Sequence, residues 1–240
     1  MLKYRFCWLG TLFIVLILTG CAPVYVPNTV NAPLFSGKGE LMVSAFGGTN
    51  GYDAQFAYAL TDHIAFLANG SYQSKKFDSN STKDYHKHYF GEIGGGYFTQ
   101  LGEHGRFECL GGYGFGQSET GYDFTFLDNN SGVAKGLFDR YFIQTDLGTS
   151  ANFDYLNMGI AIRGTYVNFY KFTTGNEVYN NTQSNFYVEP AVFVRAGWKY
   201  IKFQFQFGGC VSTQKNPTFN CQPIMVSAGL VFNIPLILAK

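Results

Sequence analysis

Residues 199–209, "KYIKFQFQFGG", alternate with almost no error. Ile201, Phe203, Phe205 and Phe207 fall on one side of an extended chain; Lys202, Gln204 and Gln206 fall on the other. Period two is the mark of a β-strand with one apolar and one polar face. It leaves open which face meets water. A soluble barrel would turn the phenylalanines inward and the lysine out. A membrane barrel inverts that arrangement, with phenylalanine against lipid and lysine in the lumen.

The same alternation recurs along most of the chain. Strands are predicted near 39–48, 51–60, 63–74, 86–99, 105–117, 138–153, 155–170, 184–197, 199–212 and 223–234, and no stretch carries a helical period. In 155–170, Leu156, Met158, Ile160, Ile162 and Tyr166 oppose Asn157, Gly159, Ala161, Arg163 and Thr165. Imperfections are local. Phe138 and Phe142 sit on the polar side of their strand, and Pro190 removes a ladder hydrogen bond, which predicts a bulge there.

The connections fall into two kinds. Tight links "LTDH" (60–63), "QLGEHG" (100–105), "FDY" (153–155) and "GWK" (197–199) alternate with long polar segments such as "QSKKFDSNSTKDYHKH" and "QSETGYDFTFLDNNSGVAKG". Only the first hairpin, "GGTNG" at 47–51, is short where the pattern allows length. Short turns at one end and long loops at the other is the layout of outer-membrane barrels, with turns in the periplasm. The polar strand faces are small, Gly-rich and sparsely charged, which suits a crowded lumen. Phe203, Phe205 and Phe207 are therefore expected to face lipid. An even strand count puts both barrel ends on one side, so the N- and C-termini are expected in the periplasm.

Composition agrees with this inversion. Of 240 residues, 14% are charged and 18% aromatic, with 25 Phe, 17 Tyr and 29 Gly. Typical soluble domains carry about 25% charged residues. The net charge of +1 gives no reason to expect a nucleic acid partner.

The chain opens "MLKYRFCWLGTLFIVLILTGC": a basic start at Lys3 and Arg5, an apolar run from Phe6 to Leu18, then Leu18-Thr19-Gly20-Cys21. The run is too short to span a bilayer and reads as a secretory signal. Its ending resembles the lipobox of bacterial lipoproteins, in which the cysteine becomes the acylated first residue. That makes Cys21 the expected lipidation site, where several acyl chains suffice for stable anchoring. Residues 22–36, "APVYVPNTVNAPLFS", hold three prolines and no charge, and read as an extended, unpacked tether. Lacking an acidic cluster after Cys21, the lipid is expected in the periplasmic leaflet. Of the remaining cysteines, Cys210 and Cys221 bracket "VSTQKNPTFN"; an exported compartment permits a disulfide between them, and two free thiols are the alternative.

Together, the lipobox, the Pro-rich segment and the ten alternating strands resemble the lipid-anchored members of the small outer-membrane β-barrel proteins of Gram-negative bacteria. The expected fold class is all-β, a single antiparallel up-and-down transmembrane barrel of about ten strands. Its parts are a signal peptide (1–20), a lipidated cysteine and tether (21–38), the barrel (39–235) and a C-terminal extension (236–240). One feature departs from the family: such barrels commonly end on an aromatic residue, whereas this chain ends "GLVFNIPLILAK", with Phe232 inside the strand.

The residues expected to point into the lumen are Asp53, Glu92, Glu108, Asp146 and Glu189 with Arg106, Arg140, Arg163, Arg195 and Lys202. Five acids against five bases predict an ion-paired plug, since buried charges need partners. A structural network is the favoured reading and a selective conduit the other. "KDYHKH" (83–88) puts Asp84, His86 and His88 on one side of an extended segment, but a third strong ligand is missing, so a solvated loop is expected and no metal. Glu119, Asp123, Asp128 and Asp139 flank the longest loop, without the nucleophile–base spacing of an outer-membrane protease or lipid-modifying enzyme. No catalytic residue or cofactor is expected. The function expected is a structural or accessory subunit, or a surface-loop scaffold, whose partners are outer-membrane lipid and other outer-membrane proteins. A narrow transport pore and a soluble periplasmic carrier of an apolar ligand are the alternatives.

Overall fold

The structure is a computed structural model and describes residues 23–76, 85–123, 131–149, 155–174, 177–179, 182–214 and 221–235. Twelve strands and no helix occur among them: β1 (Glu40–Gly48), β2 (Gly51–Ala59), β3 (Ile64–Lys76), β4 (Tyr85–Leu101), β5 (Gly105–Asp123), β6 (Ser131–Thr149), β7 (Leu156–Thr174), β8 (Glu177–Tyr179), β9 (Gln183–Gly197), β10 (Ile201–Gly209), β11 (Val211–Ser212) and β12 (Ile224–Pro235). Ten of these close the wall. Each of β1 to β7 pairs with the next, β7 pairs with β9, β9 with β10, β10 with β12, and β12 returns to β1. Every ladder is antiparallel, so the wall is a closed up-and-down barrel with no free edge. The short β8 and β11 extend β7 and β9 at one end.

The alternation of residues 199–209 resolves as a membrane barrel requires. Phe203, Phe205 and Phe207 are 53%, 48% and 40% exposed on the outer wall, while Lys202, Gln204 and Gln206 are buried inside. The outer face is apolar all round: Ile93, Phe115, Ile143, Met158, Ile160, Ile162, Val192 and Val194 are exposed. A row of rings crosses four neighbouring strands through the register pairs Tyr113–Tyr141, Tyr141–Tyr166 and Tyr166–Phe186, all exposed. A second row runs Tyr52–Tyr72–Tyr89. Water would penalise so continuous an apolar surface; lipid does not.

Several local expectations change. β5 and β6 run further than their apolar pattern predicts, so most of "QSETGYDFTFLDNNSGVAKG" is strand, and residues 124–130 between them lie outside the described residues. These strands are longer than the roughly 9–11 residues that a bilayer crossing needs. The bulge does not fall at Pro190, which pairs with Ile162 in unbroken register. It falls where Leu137 faces Lys171 and Phe138 faces Phe169, leaving Tyr170 as the extra residue. Phe138 and Phe142 do point inward, and Phe142 fits because Gly112 faces it: a Cβ there would lie 2.5 Å from the ring.

Candidate functional site

The lumen holds a segment of the chain's own. Residues 24–35, expected to be an unpacked tether, are all buried, and they run down the inside of the barrel. This corrects the reading of 22–36. A Pro-rich, uncharged sequence does suit a solvated linker, but proline also lacks an N–H. A peptide that enters a closed barrel finds no strand edge to pair with, so every donor it lacks is one fewer to satisfy. Pro27 and Pro33 lower that demand.

Many of its other backbone groups are met by groups of the barrel, most of them lumen side chains, level by level. At the end with the longer connections, Ser118 Oγ donates to the Val24 carbonyl and the Gln222 N–H donates to the Tyr25 carbonyl at 3.0 Å. The Tyr25 ring stacks on Tyr187 at 4.6 Å between centroids, lies under the Arg140 guanidinium at 5.7 Å, and donates its hydroxyl to Glu189 at 2.8 Å. Asn28 sits at the centre of the charge cluster. Its amide donates to Glu92 at 3.1 Å and accepts from Arg140 at 3.3 Å, while Arg163 donates to its carbonyl at 3.2 Å.

Below it, the Thr29 N–H donates to Asp53 at 2.9 Å and the Thr29 carbonyl accepts from Gln55 at 2.6 Å. With its amide turned to suit, Gln206 accepts from the Val30 N–H at 2.8 Å. Asn31 bonds Asn69 at 2.7 Å through its side chain, and its carbonyl accepts from Gln144 at 2.9 Å. Arg195 donates to the Ala32 carbonyl at 2.6 Å. At the short-turn end the Phe35 N–H donates to Glu108 at 3.0 Å, the Ser36 N–H to Glu40 at 3.1 Å and the Lys38 N–H to Asp62 at 3.0 Å. The chain then turns back as β1.

All ten charged side chains expected in the lumen lie inside the wall and are buried. They do not form the simple ion-paired plug expected of them. Ion pairs join Glu92 to Arg140 (3.3 Å) and to Arg163 (3.7 Å), and Arg163 to Glu189 (2.6 Å). Asp53, Glu108 and Arg195 instead spend hydrogen bonds on the segment's backbone. Asp146 accepts from Gln144 at 2.8 Å, Lys202 donates to Asn157, and Arg106 donates to its neighbour's carbonyl and to Ser36 Oγ at 3.1 Å. Five acids and five bases thus surround an uncharged peptide.

Apolar side chains close both ends. Val24 and Tyr25 pack with Phe90, Phe138, Phe169, Phe172 and the Cys210–Cys221 disulfide at one end. Phe35 packs with Met42, Phe46, Phe98, Leu110 and Phe142 at the other. Leu34 depends on a missing side chain opposite it, because a Cβ on Gly148 would lie 2.5 Å from its methyl. The disulfide ties the β11 connection to the head of β12, beside the bridge between Tyr25 and Cys221.

The other candidates fall elsewhere. His86 and His88 are in β4 with buried side chains, not in a solvated loop: His86 Nε2 lies 3.0 Å from His88 Nδ1, and His88 Nε2 lies 3.0 Å from Ser71 Oγ. Alternation turned them inward, onto the lumen face of the strand predicted at 86–99. Among the described residues no three His, Cys, Asp or Glu side chains could hold a metal ion together. Glu119 accepts from the Tyr85 hydroxyl at 2.6 Å and pairs with Lys135 at 3.5 Å, and Asp139 accepts from the Tyr113 hydroxyl at 2.8 Å. Cys21, Asp84, Asp128, the signal 1–20 and the extension 236–240 lie outside the described residues, as does the side chain of Asp123.

The residues that sequence reasoning missed are those of the segment itself. The available signal was the pairing of an uncharged, Pro-spaced stretch with a surplus of lumen hydrogen-bonding groups.

No protein-family model matches the chain, and no curated protein matches it. Among solved structures, the N-terminal β-barrel domain of Pseudomonas aeruginosa OprF is similar, at 13% identity and a TM-score of 0.34, covering 82% of this chain and 99% of that one. A likeness so distant carries no statement about role, which rests on this chain's own side chains.

Proposed function

We propose that the protein is a non-enzymatic outer-membrane β-barrel lipoprotein, a structural or accessory component whose longer connections are presented on a wall that does not conduct. The observation that carries this reading is the pairing of an apolar, ring-studded exterior with a lumen filled end to end by residues 24–35. The exterior supports residence in a bilayer. The filled lumen supports a closed scaffold over a pore, because any solute path needs the segment to leave and Asn28, Thr29 and Asn31 to give up buried partners. A soluble carrier of an apolar ligand needs Phe203, Phe205 and Phe207 inside, and they are outside.

Lipidation at Cys21 belongs to the same proposal and is supported by the sequence before it. Three measurements test it. The protein should fractionate with the outer membrane and need detergent for release even as Cys21→Ala, and the N-terminal peptide of the unaltered protein should carry the mass of acyl chains. Reconstituted in planar bilayers, the full chain should give no steady conductance. Release without detergent overturns the barrel placement, and steady conductance overturns the closed scaffold in favour of a pore. A stoichiometric partner retained in mild detergent identifies the protein as a subunit.

A further inference from the structure

We infer that the lipidated N-terminus leaves the barrel at the end that carries the long connections, so that its acyl chains enter the outward-facing leaflet and the protein is threaded through its own pore. This rests on the proposed outer-membrane placement and lipidation, and goes beyond them by fixing a side.

The direction of the segment is set by contacts at each end. Val24 and Tyr25 are held by Ser118, Tyr187, Cys221 and Gln222, which belong to the upper parts of β5 and β9 and to the disulfide-closed connection before β12. Phe35, Ser36 and Lys38 are held by Glu108, Glu40 and Asp62, which lie beside the tight turns 60–63 and 102–104 and at the start of β1. The chain therefore descends once from the long-connection end to the short-turn end, and β1 begins the wall from there. The strand termini Glu40 and Pro235 do share the short-turn end, where they pair. The part of the chain that precedes the barrel does not share it, and this corrects the expectation that one face holds both termini.

Covalent reach then constrains Cys21. Two residues upstream of Pro23, it is tethered within about 7 Å of the long-connection end. Fourteen residues, Pro23 to Ser36, separate it from the other face. The two residues from Pro23 back to Cys21 reach far less than the ~30 Å hydrocarbon core that separates the two faces. No slack remains to bring the acyl chains back to the inner side. Long connections lie outside in this architecture, which puts the lipid on the cell surface.

The closed wall adds a requirement of order. β1 pairs with β12 over nine positions, Glu40–Gly48 against Pro235–Ser227, and the ladders around the barrel leave no free edge. Acyl chains cannot be drawn through a lumen already packed with Phe35, Phe98, Phe142 and Phe138. The β1–β12 seam must close around a segment that is already in place.

The test uses the full chain in cells, with a short epitope inserted between Ala22 and Pro23. Matched epitopes in the connection 77–84 and in the turn 60–63 serve as outer and inner references. The inference expects the N-terminal epitope to be labelled by antibody on intact cells as strongly as the 77–84 reference, with the 60–63 epitope labelled only after permeabilisation. Labelling of the N-terminal epitope only after permeabilisation, with the 77–84 reference exposed, overturns the inference and leaves the barrel proposal intact. References that are both hidden on intact cells overturn the barrel placement, and an unacylated N-terminal peptide overturns the lipoprotein reading.

Because an inserted epitope could disturb folding, the path is also read without one. Asn31→Cys with Asn69→Cys, whose side chains are now 2.7 Å apart, should cross-link on oxidation in the acylated protein, as detected by mass spectrometry of the joined peptides. Failure to cross-link in protein that reaches the membrane also overturns the inference.

Discussion

The wall strand β10 and the segment at 23–36 are both nearly free of charge and both held in one position, yet only the strand announces itself. The difference is in their surroundings. Each residue of β10 faces either lipid or lumen, so its environment alternates and period two is written into the sequence. The segment is enclosed by lumen on every side. Val24, Tyr25, Asn28, Thr29, Val30, Asn31, Leu34 and Phe35 are all buried, and no face is distinguished from another. Without asymmetry there is no period, and without a period the segment reads as a linker. A second contrast follows from hydrogen bonding. Wall backbones satisfy each other across ladders, whereas much of the segment's backbone bonds to side chains: Asp53, Gln55, Glu108, Gln144, Arg163 and Arg195.

Removing the segment should have the largest effect. Joining Cys21 directly to Ser36 removes the backbone partners of Asp53, Glu108 and Arg195 at once and admits water. We expect measurable conductance in planar bilayers where the full chain gives none, together with a lower urea midpoint. Glu92→Gln comes next. Glu92 lies between Arg140 and Arg163 and also accepts from Asn28 and Asn69, so its loss takes the acid from buried Arg140 and leaves Arg163 with Glu189 alone. Breaking a buried pair typically costs about 3–5 kcal/mol, to be read from unfolding of the lipid-reconstituted protein. Asp53 accepts from Thr29 and Asn50 and, among the described residues, forms no ion pair, so Asp53→Asn should cost less than Glu92→Gln.

On the wall side, Phe205→Arg puts a charge into lipid near mid-strand. The expected loss is about 2–4 kcal/mol in the same measurement, whereas a change at Gln204, one residue away, should act through Arg195 instead. Smallest is Gly148→Val, which crowds Leu34 and should cost about 1–3 kcal/mol. Its diagnostic feature is that the cost falls in the chain lacking the segment, where Leu34 is gone and the contact with the Met158 carbonyl of the wall remains. A penalty of unchanged size there would assign Gly148 to the wall alone and weaken the contrast between wall and filling.

Much of the wall was readable because lipid enforces it. The ten barrel strands, the outward phenylalanines of β10 and the inward Arg140, Arg163, Glu189 and Arg195 all follow from alternation. The bulge was less accessible. Pro190 advertised one, yet its strand stays in register, while Tyr170, with no breaker beside it, is the residue left over. His86 and His88 were misread for a related reason: polar composition suggested a loop, but the lumen face of a strand accepts polar residues as readily as solvent does.

Alternation and loop spacing alone identify a barrel turned inside out, since a chain placed between two different solvents must sort its side chains by parity. Which acid meets which base, and the fact that residues 23–36 fill the space between them, required the closed three-dimensional wall. A lumen offers the same surroundings in every direction. Its occupant is selected by hydrogen-bond complementarity at specific heights, which a linear pattern does not record.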